Sequence, residues 1–181
     1  MARPRLVYLG PEGSFTHQAA EALGAGTQRL ARPDLSAVLA DLRSGRADLA
    51  VAALDSGAGV IEATRAALDE GWAEEIGRIA VPVSFDLYRA PGDAAPLEGV
   101  YGHEKALAQI RPWMMRRALA GEAHASNTAG LEKVRGAARP GWGAVGPPGL
   151  ARAFALEVTG RALESPARHE TVFVLLKRAG A

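Results

Sequence analysis

The chain has 181 residues, of which 48% are hydrophobic and 23% charged, so it can bury a core as one domain or as two small lobes. Its formal net charge of +1 creates no overall field that would draw it onto nucleic acid or an anionic membrane, and we expect neither partner. The absence of cysteine excludes disulfides, thiolate nucleophiles and zinc–thiolate sites.

The first predicted unit is a strand, a glycine turn and a helix. Apolar residues 6–9 predict a short strand, residues 10–13 a turn, and apolar residues at helical spacing predict a helix from Phe15 to Leu23, with Gly24 as its C-terminal cap. The run at residues 6–9 is too short for the hydrophobic segment of a signal peptide or for a membrane span. We therefore expect a cytoplasmic protein.

A second helix, a buried strand and a third helix follow. Asp34 is a predicted N-cap, the helix ends before Gly45, and residues 47–53 predict a buried strand. A glycine-containing turn then leads to a helix at residues 60–70. Residues 75–90 are rich in β-branched and aromatic residues and are predicted to be extended, and the proline inside this run marks where the chain crosses between lobes.

Strands and helices alternate again in the second half of the chain. The predicted elements are strands at 99–101, 122–125 and 143–146, helices at 103–119 and 128–137, a short helix starting at Pro147-Pro148, a further segment at 157–163 and a terminal strand at 171–177. Repeated strand–helix units are typical of parallel sheets covered by helices, so we expect two α/β lobes. We place residues 1–79 and 162–181 in the first lobe and residues 80–161 in the second.

Ligands bind open α/β sheets at the carboxyl ends of the strands, where the amino ends of helices offer unpaired N–H groups and partial positive charge. Four predicted loops meet this description, at residues 10–16, 55–59, 102–105 and 126–128. Their glycine, hydroxyl and amide residues are individually typical of helix caps and turns. Their recurrence at four equivalent loops indicates a site for a small anion.

Other kinds of site find no support in the sequence. The four histidines, His17, His103, His124 and His169, lack the spacing of metal ligands, so we expect no metal. The turn at residues 10–13 matches neither a dinucleotide-binding fingerprint nor a P-loop, and no Gly-x-Ser-x-Gly motif occurs. The dispersed aromatic residues suit packing better than stacking on a ligand.

The opening segment at residues 8–20, Tyr-Leu-Gly-Pro-Glu-Gly-Ser-Phe-Thr-His-Gln-Ala-Ala, resembles the first motif of the prephenate dehydratase family almost residue for residue. The resemblance extends over residues 6–176. Further matches keep the family's order and spacing, at residues 51–60 (family Val-Pro-Ile-Glu-Asn-Ser-x-x-Gly), 102–109 (Ser-His-Pro-Gln), 126–129 (Ser-Thr-Ala), 143–146 (Ala-Ala-Ile-Gly) and 171–173 (Thr-Arg-Phe).

The resemblance implies an α/β fold of two lobes, each with a mainly parallel sheet flanked by helices. It implies the shape of periplasmic binding proteins, with the substrate in the cleft between the lobes, and a tendency to form homodimers. The implied reaction is carried out by a lyase of phenylalanine biosynthesis, which converts prephenate, a small anionic acid, to phenylpyruvate. The ring carboxylate leaves as CO2 and the ring hydroxyl as water, and no cofactor is used.

Thr171 matches the family's catalytic threonine and would donate a hydrogen bond to the leaving hydroxyl, while aromatisation of the ring supplies much of the driving force. Asp55 is the second candidate catalytic residue. The candidate substrate-binding residues come from the same motifs and are Glu12, Ser14, Thr16, Ser56, Gly59, His103, Lys105, Ser126, Asn127, Thr128 and Phe173.

Three positions depart from the family's motifs. Val172 replaces an arginine that could pair with a carboxylate, Asp55 replaces an asparagine, and Lys105 replaces a glutamine. Lys105, at the start of a predicted helix, either replaces part of the lost positive charge, together with His103 or His169, or is a solvated surface lysine.

Two other functions fit the same departures. Asp55 could carry a proton to a ring that is decarboxylated but keeps its hydroxyl, which is the chemistry of the related non-aromatising prephenate decarboxylases. Alternatively, the domain binds its ligand without turning it over, as a sensor or carrier. The chain ends at Ala181, soon after the last predicted strand, so we expect a catalytic domain without the family's phenylalanine-binding regulatory domain. The substrate is prephenate, its amino-acid counterpart arogenate, or a modified analogue.

Overall fold

The computed structural model describes residues 3–56, 59–136, 139–164 and 170–180. The chain divides into two compact units: residues 1–83 with 169–181, named lobe 1, and residues 84–168, named lobe 2. The chain passes from lobe 1 to lobe 2 after Val83, one residue beyond Pro82, where a strand of lobe 1 ends.

Strands and helices alternate within each lobe, as the sequence predicts. Lobe 1 begins with β1 (Arg5–Leu9), α1 (Phe15–Leu23), β2 (Gln28–Arg32), α2 (Leu35–Arg43), β3 (Leu49–Asp55), α3 (Glu62–Asp69) and β4 (Ala73–Pro82). Lobe 2 contains β5 (Asp86–Arg89), β6 (Gly99–His103), α4 (Glu104–Met115), β7 (Ala120–His124), α5 (Asn127–Gly136), β8 (Trp142–Gly146), α6 (Ala151–Phe154) and β9 (Glu157–Gly160). The chain then returns to lobe 1 with β10 (Glu170–Arg178). In the described ranges, no helix is long and apolar enough to cross a membrane.

Each lobe holds one five-stranded sheet, with strand order β2-β1-β3-β10-β4 in lobe 1 and β7-β6-β8-β5-β9 in lobe 2. β1 runs parallel to β2 and β3, whereas β10 runs antiparallel to β3 and β4. In the same way, β6 is parallel to β7 and β8, and β5 is antiparallel to β8 and β9. The predicted two α/β lobes are confirmed, but the sheets are mixed rather than mainly parallel. The reason is that β5 and β10 each enter their lobe from the other one, without the crossover helix that parallel pairing requires.

The strand β10 shows how lobe 1 buries both faces of its sheet. Val174 and Leu176 lie in the core on the face covered by α2 and α3, while Phe173 and Leu175 lie in the core on the face covered by α1. Alternate side chains of a strand point to opposite faces, so a continuous apolar run suits a strand covered on both sides. Burying each of these apolar side chains contributes roughly 1.5–3 kcal/mol.

The core of lobe 2 includes a tyrosine that ties the loop after β8 to the sheet. Tyr88 is fully buried, and its hydroxyl donates to the Pro147 carbonyl (2.6 Å) and accepts from the Leu150 N–H (3.3 Å). Burial raises the pKa of Tyr88 above its usual value, so the hydroxyl keeps its proton for this bond. The loop between β8 and α6 is therefore held in place.

Three local predictions differ from the structure. β2 was not predicted because it is an exposed edge strand whose one apolar residue besides alanine, Leu30, is only half-buried. The helix predicted from the two prolines onward begins later, at Ala151, after Gly149 takes a left-handed conformation with φ +94°. α4 ends at Met115, earlier than predicted, and Ala118 just beyond it is left-handed with φ +53°.

Candidate functional site

The loop between β1 and α1 is shaped by Ser14, a predicted substrate-binding residue. Its Oγ accepts a hydrogen bond from the His17 N–H (3.2 Å) and donates one to the Leu9 carbonyl (3.4 Å), so Ser14 is the N-cap of α1. The His17 ring accepts at Nδ1 from the Gly13 N–H (3.0 Å), and Gly13 has φ +82°, a conformation that favours glycine. The Ser14 hydroxyl therefore stabilises the conformation of the loop between β1 and α1.

Glu12 and Thr16 lie on either side of Ser14 in different surroundings. Glu12 is exposed on the loop, whereas Thr16, in the first turn of α1, is mostly buried. Burial raises the pKa of Tyr8, at the end of β1, and the negative charge of Glu12 raises it further. Glu12 is thus the member of this pair that solvent, and hence a ligand, can reach.

The turn after β3 carries three further predicted site residues. Asp55, at its base, forms a β-bridge with Val60 across the turn. The Ser56 N–H and hydroxyl both donate to the Gly59 carbonyl, at 3.1 and 3.3 Å. Gly59 has φ +138°, which is essentially restricted to glycine. Ser56 and Gly59 therefore close the turn, and the two residues between them lie outside the described residues.

The strand β10 carries the predicted catalytic threonine near its amino end. Thr171 is half-buried, and its register partner is Val81 of β4. Phe173, two residues further along, is 2% exposed in the core on the α1 face, so it is placed as a core residue. Val172, between them, is the register partner of Asp55 in β3.

These lobe 1 residues come together at one edge of the sheet. β1 and β3 are parallel, so their carboxyl ends lie at the same edge, and the antiparallel β10 begins there. Three adjacent strands thus bring Thr171, Asp55 and the Ser14 loop to one edge, where the amino end of α1 also lies. The partial positive charge of a helix amino end suits an anionic ligand.

In lobe 2, the loops after β6 and β7 are joined by hydrogen bonds between predicted site residues. His103 is the N-cap of α4, and its Nδ1 accepts from the Lys105 N–H (3.2 Å). The His103 N–H donates to Asn127 Oδ1 (2.8 Å) at the start of α5. The Lys105 side chain is exposed. The imidazole and the amide therefore position the two helix starts, while the lysine ammonium extends into solvent.

Ser126 and Thr128 form the remaining part of this edge. Ser126 Oγ accepts from the Ala129 N–H (3.0 Å) and lies 2.8 Å from Thr128 Oγ1. Both residues are half-buried, so one hydroxyl proton of the pair can be directed to a ligand. Within the described ranges no group of three or more His, Asp or Glu side chains could hold a metal, and His169 lies outside those ranges.

A buried carboxylate that was not among the predicted site residues lies at this edge of lobe 2. Asp86 is the first residue of β5, is 2% exposed, and has Gly146, the last residue of β8, as its register partner. Its Oδ1 accepts from the Ala162 N–H (3.3 Å), and Arg161 Nη1 lies 3.5 Å from its Oδ2. The available signal was an aspartate within a run of apolar residues. Its partners could not be identified from sequence because they lie some 76 residues further along the chain.

Comparisons with known proteins agree with this architecture. The sequence model of the family described as prephenate dehydratase matches residues 6–181. The bifunctional chorismate mutase/prephenate dehydratase of Aquifex aeolicus (strain VF5) is 28% identical over 112 residues, which are 61% of this chain and 31% of that protein. The prephenate dehydratase of Arthrobacter aurescens, solved in complex with L-Phe, is 25% identical with a TM-score of 0.84, covering 98% of this chain and 60% of that chain.

A third match has a different named activity. GqqA, described as a novel type of quorum quenching acylase, is 24% identical with a TM-score of 0.83, covering 98% of this chain and 65% of that one. The chain therefore spans less than two thirds of the length of each of these relatives. The structural matches show the two-lobe α/β fold of the periplasmic-binding-protein type, and a fold alone does not fix a reaction. Because the family model covers both lobes almost completely, the chain belongs to the prephenate dehydratase family.

Proposed function

We propose that the protein is a lyase that converts prephenate to phenylpyruvate, CO2 and water, as a step of phenylalanine biosynthesis. The observation that carries the proposal is the position of Thr171, a half-buried residue at the sheet edge where α1 begins. A hydroxyl donor beside a helix amino end suits a reaction in which an anionic substrate loses a hydroxyl group.

The reaction breaks two bonds of the substrate. The bond between the ring and its carboxylate breaks, CO2 leaves, and the electron pair of that bond enters the ring. The bond between the ring and its hydroxyl then breaks, and the hydroxyl takes up one proton and leaves as water. Thr171 donates a hydrogen bond to this leaving oxygen, and the proton consumed overall comes from solvent. An alcohol is a weak acid, so orientation of the leaving group contributes more than acidity.

Each lobe, taken by itself, has helix amino ends that suit a carboxylate of the substrate. In lobe 1 this group is the start of α1, where Ser14 is half-buried and Glu12, on the preceding loop, is exposed. In lobe 2 it is the starts of α4 and α5, with the exposed ammonium of Lys105 beside them. Unpaired backbone N–H groups at such ends bind anions without a dedicated arginine.

A second candidate function is favoured by the position of Asp55. Its register partner, Val172, is the neighbour of Thr171 in the chain, so a carboxyl group and a hydroxyl lie at the same sheet edge. In a non-aromatising decarboxylase, CO2 leaves, a carboxyl group delivers a proton to the ring, and the ring hydroxyl is retained. Asp55 would be that proton donor.

One experiment separates these functions: the purified protein is incubated with prephenate, and ultraviolet spectra and product mass are recorded. Phenylpyruvate supports the dehydratase, whereas a product that has lost CO2 but kept its hydroxyl supports the decarboxylase. Thermal stabilisation by prephenate without any product supports a sensor or carrier. Asp55→Asn is the matched variant, because it should abolish decarboxylase chemistry and leave dehydratase chemistry measurable.

The family resemblance also supports two proposals about the protein in the cell. We propose that it is cytoplasmic and forms a homodimer. Light scattering coupled to size-exclusion chromatography would test the dimer, and a mass equal to one chain would contradict it. Arogenate, offered in competition with prephenate in the same assay, would test which of the two acids is preferred.

A further inference from the structure

Three hydrogen bonds connect the turn that follows β9 to Phe85 and Asp86, at the start of β5. The Leu163 N–H donates to the Phe85 carbonyl (3.0 Å), and the Phe85 N–H donates to Glu164 Oε2 (2.9 Å). The Ala162 N–H donates to Asp86 Oδ1 (3.3 Å). The backbone of residues 161–164 is therefore held in a defined position.

This turn lies at the edge of the lobe 2 sheet that carries the candidate site. β6 and β8 are parallel, and the antiparallel β5 begins where β8 ends. β9 runs antiparallel to β5, so it ends at that same edge, with Gly160 opposite Leu87. Arg161, the next residue, therefore lies at the edge where the carboxyl ends of the parallel strands meet, which is where ligands bind in such sheets.

Asp86 makes Arg161 more than an ordinary surface arginine. The side chain of Asp86 is 3% exposed, and its Oδ2 accepts no hydrogen bond from a described residue. A buried carboxylate is unfavourable unless a cation neutralises it, and Arg161 Nη1, 3.5 Å away, is the ion-pair partner. The buried charge of Asp86 thus holds the guanidinium near the sheet edge.

Arg161 retains donors that the fold does not use. Its side chain is 74% exposed although one nitrogen faces Asp86, and among the described residues no other partner engages it. A guanidinium has five N–H donors in one plane, which match the two oxygens of a carboxylate. The donors that face away from Asp86 are available to such an anion.

The backbone beside Arg161 is also strained. Ala162 adopts a left-handed conformation with φ +49°, which is unfavourable for a residue with a side chain. In this conformation the Ala162 N–H donates to Asp86 Oδ1 (3.3 Å). Strained residues of this kind concentrate at ligand-binding sites.

We propose that Arg161 binds a carboxylate of the substrate and that the buried Asp86 is its positioning residue. This inference rests on the proposed function, in which the substrate is an acid with two carboxylates. In lobe 2, Arg161 would supply a planar cation for the substrate in addition to the helix amino ends.

The test compares four variants of the whole chain: Arg161→Gln, Arg161→Lys, Asp86→Asn and Arg116→Gln. Arg116 is an exposed arginine at the C-terminal cap of α4, so its replacement removes the same charge from the opposite edge of the sheet. For each variant, kcat and KM for phenylpyruvate formation, the Kd of prephenate by calorimetry and the melting temperature are measured.

Arg161→Gln should raise KM and Kd about 10- to 100-fold and leave kcat little changed, because a charge-assisted bond made equally to bound substrate and transition state is lost. Arg161→Lys should recover part of this binding. Asp86→Asn should raise KM by a smaller factor at temperatures below its melting transition. Arg116→Gln should match the wild type. An Arg161→Gln variant with wild-type KM and Kd would overturn the proposal.

The two proposals fail in different ways. If the wild type binds prephenate without forming phenylpyruvate, the dehydratase proposal fails, and the Kd of Arg161→Gln still decides the role of Arg161. If the wild type turns prephenate over and Arg161→Gln does so with the same KM, only the inference about Arg161 fails. If the wild type does not bind prephenate, both are overturned.

Discussion

Replacing Thr171 with valine tests the residue on which the proposed reaction depends. Valine keeps the β-branched shape and the strand preference of threonine, so β10 should keep its pairing with β3 and β4. The register partner of Thr171 is the apolar Val81, so the change leaves no described polar group of β4 opposite it without a partner. We expect the free energy of unfolding to change by less than about 1 kcal/mol.

The same substitution should strongly slow the reaction. Removing one hydrogen-bond donor that acts on developing charge lowers kcat by about 100- to 1,000-fold, which corresponds to about 2.7–4 kcal/mol of transition-state stabilisation. The assay is the rate of phenylpyruvate formation from prephenate, and KM should change far less than kcat because the donor acts mainly in the transition state. A Thr171→Val variant whose kcat stays within about threefold of the wild type would refute the assigned role.

Thr64 offers a matched control for this experiment. It lies in α3, is fully buried, and its Oγ1 has no hydrogen-bond partner among the described residues. Thr64→Val makes the same chemical change away from the candidate site, so kcat should not change. Because an unsatisfied buried hydroxyl is unfavourable, the variant should be more stable by about 1 kcal/mol, as measured by denaturant unfolding.

Three further substitutions probe stability and binding. Hydrogen bonds from Arg32 and Arg46 lower the pKa of Asp41, so its contribution to stability is present above the unfolded-state pKa of about 3.9 and is lost as the pH falls through the lower folded-state pKa. Asp41→Asn should therefore flatten the acid side of the unfolding free energy plotted against pH, and an unchanged acid side would contradict this. Ala155→Gly should stabilise the protein by about 1 kcal/mol in denaturant unfolding, because Ala155 ends α6 in a left-handed conformation with φ +52°; a loss of stability would count against that account. Lys105→Ala should raise KM at least about tenfold if its exposed ammonium meets the substrate, whereas unchanged kinetics would make it a solvated surface lysine.

The parts of the fold that could be predicted are those whose signals are local. The start of α2 follows from Asp34, which accepts a hydrogen bond from the Ala37 N–H (2.7 Å), and the end of α1 follows from Gly24. β2 gave no such signal because it is an exposed edge strand. The antiparallel placement of β10 could not be predicted either, since it is set by pairing with β3 and β4, which lie more than 80 residues earlier in the chain.

For the candidate site, the motifs predicted which residues lie at the sheet edges. They did not predict which of these residues cap helices or pack in the core. Ser14 and His103 act as helix caps, and Phe173 lies in the core. Capping and ligand binding favour the same residue types, so sequence cannot separate them. The ion pair of Asp86 with Arg161 could not be predicted because it depends on the pairing of β9 with β5, two strands that are far apart in the sequence.

Two of the departures from the family's motifs are physically linked. Val172 and Asp55 are register partners on β10 and β3, beside the register shift between Val172 and Phe173, so the two positions are neighbours across the strands. An arginine at position 172 would therefore stand opposite the aspartate, and the ion pair would consume the charge that a substrate carboxylate needs. With valine and aspartate in place of arginine and asparagine, this pair of positions changes its formal charge from +1 to −1. The positive charge that an anionic substrate requires must then come from other groups, and the exposed cations Lys105 and Arg161 of lobe 2 are candidates for that role.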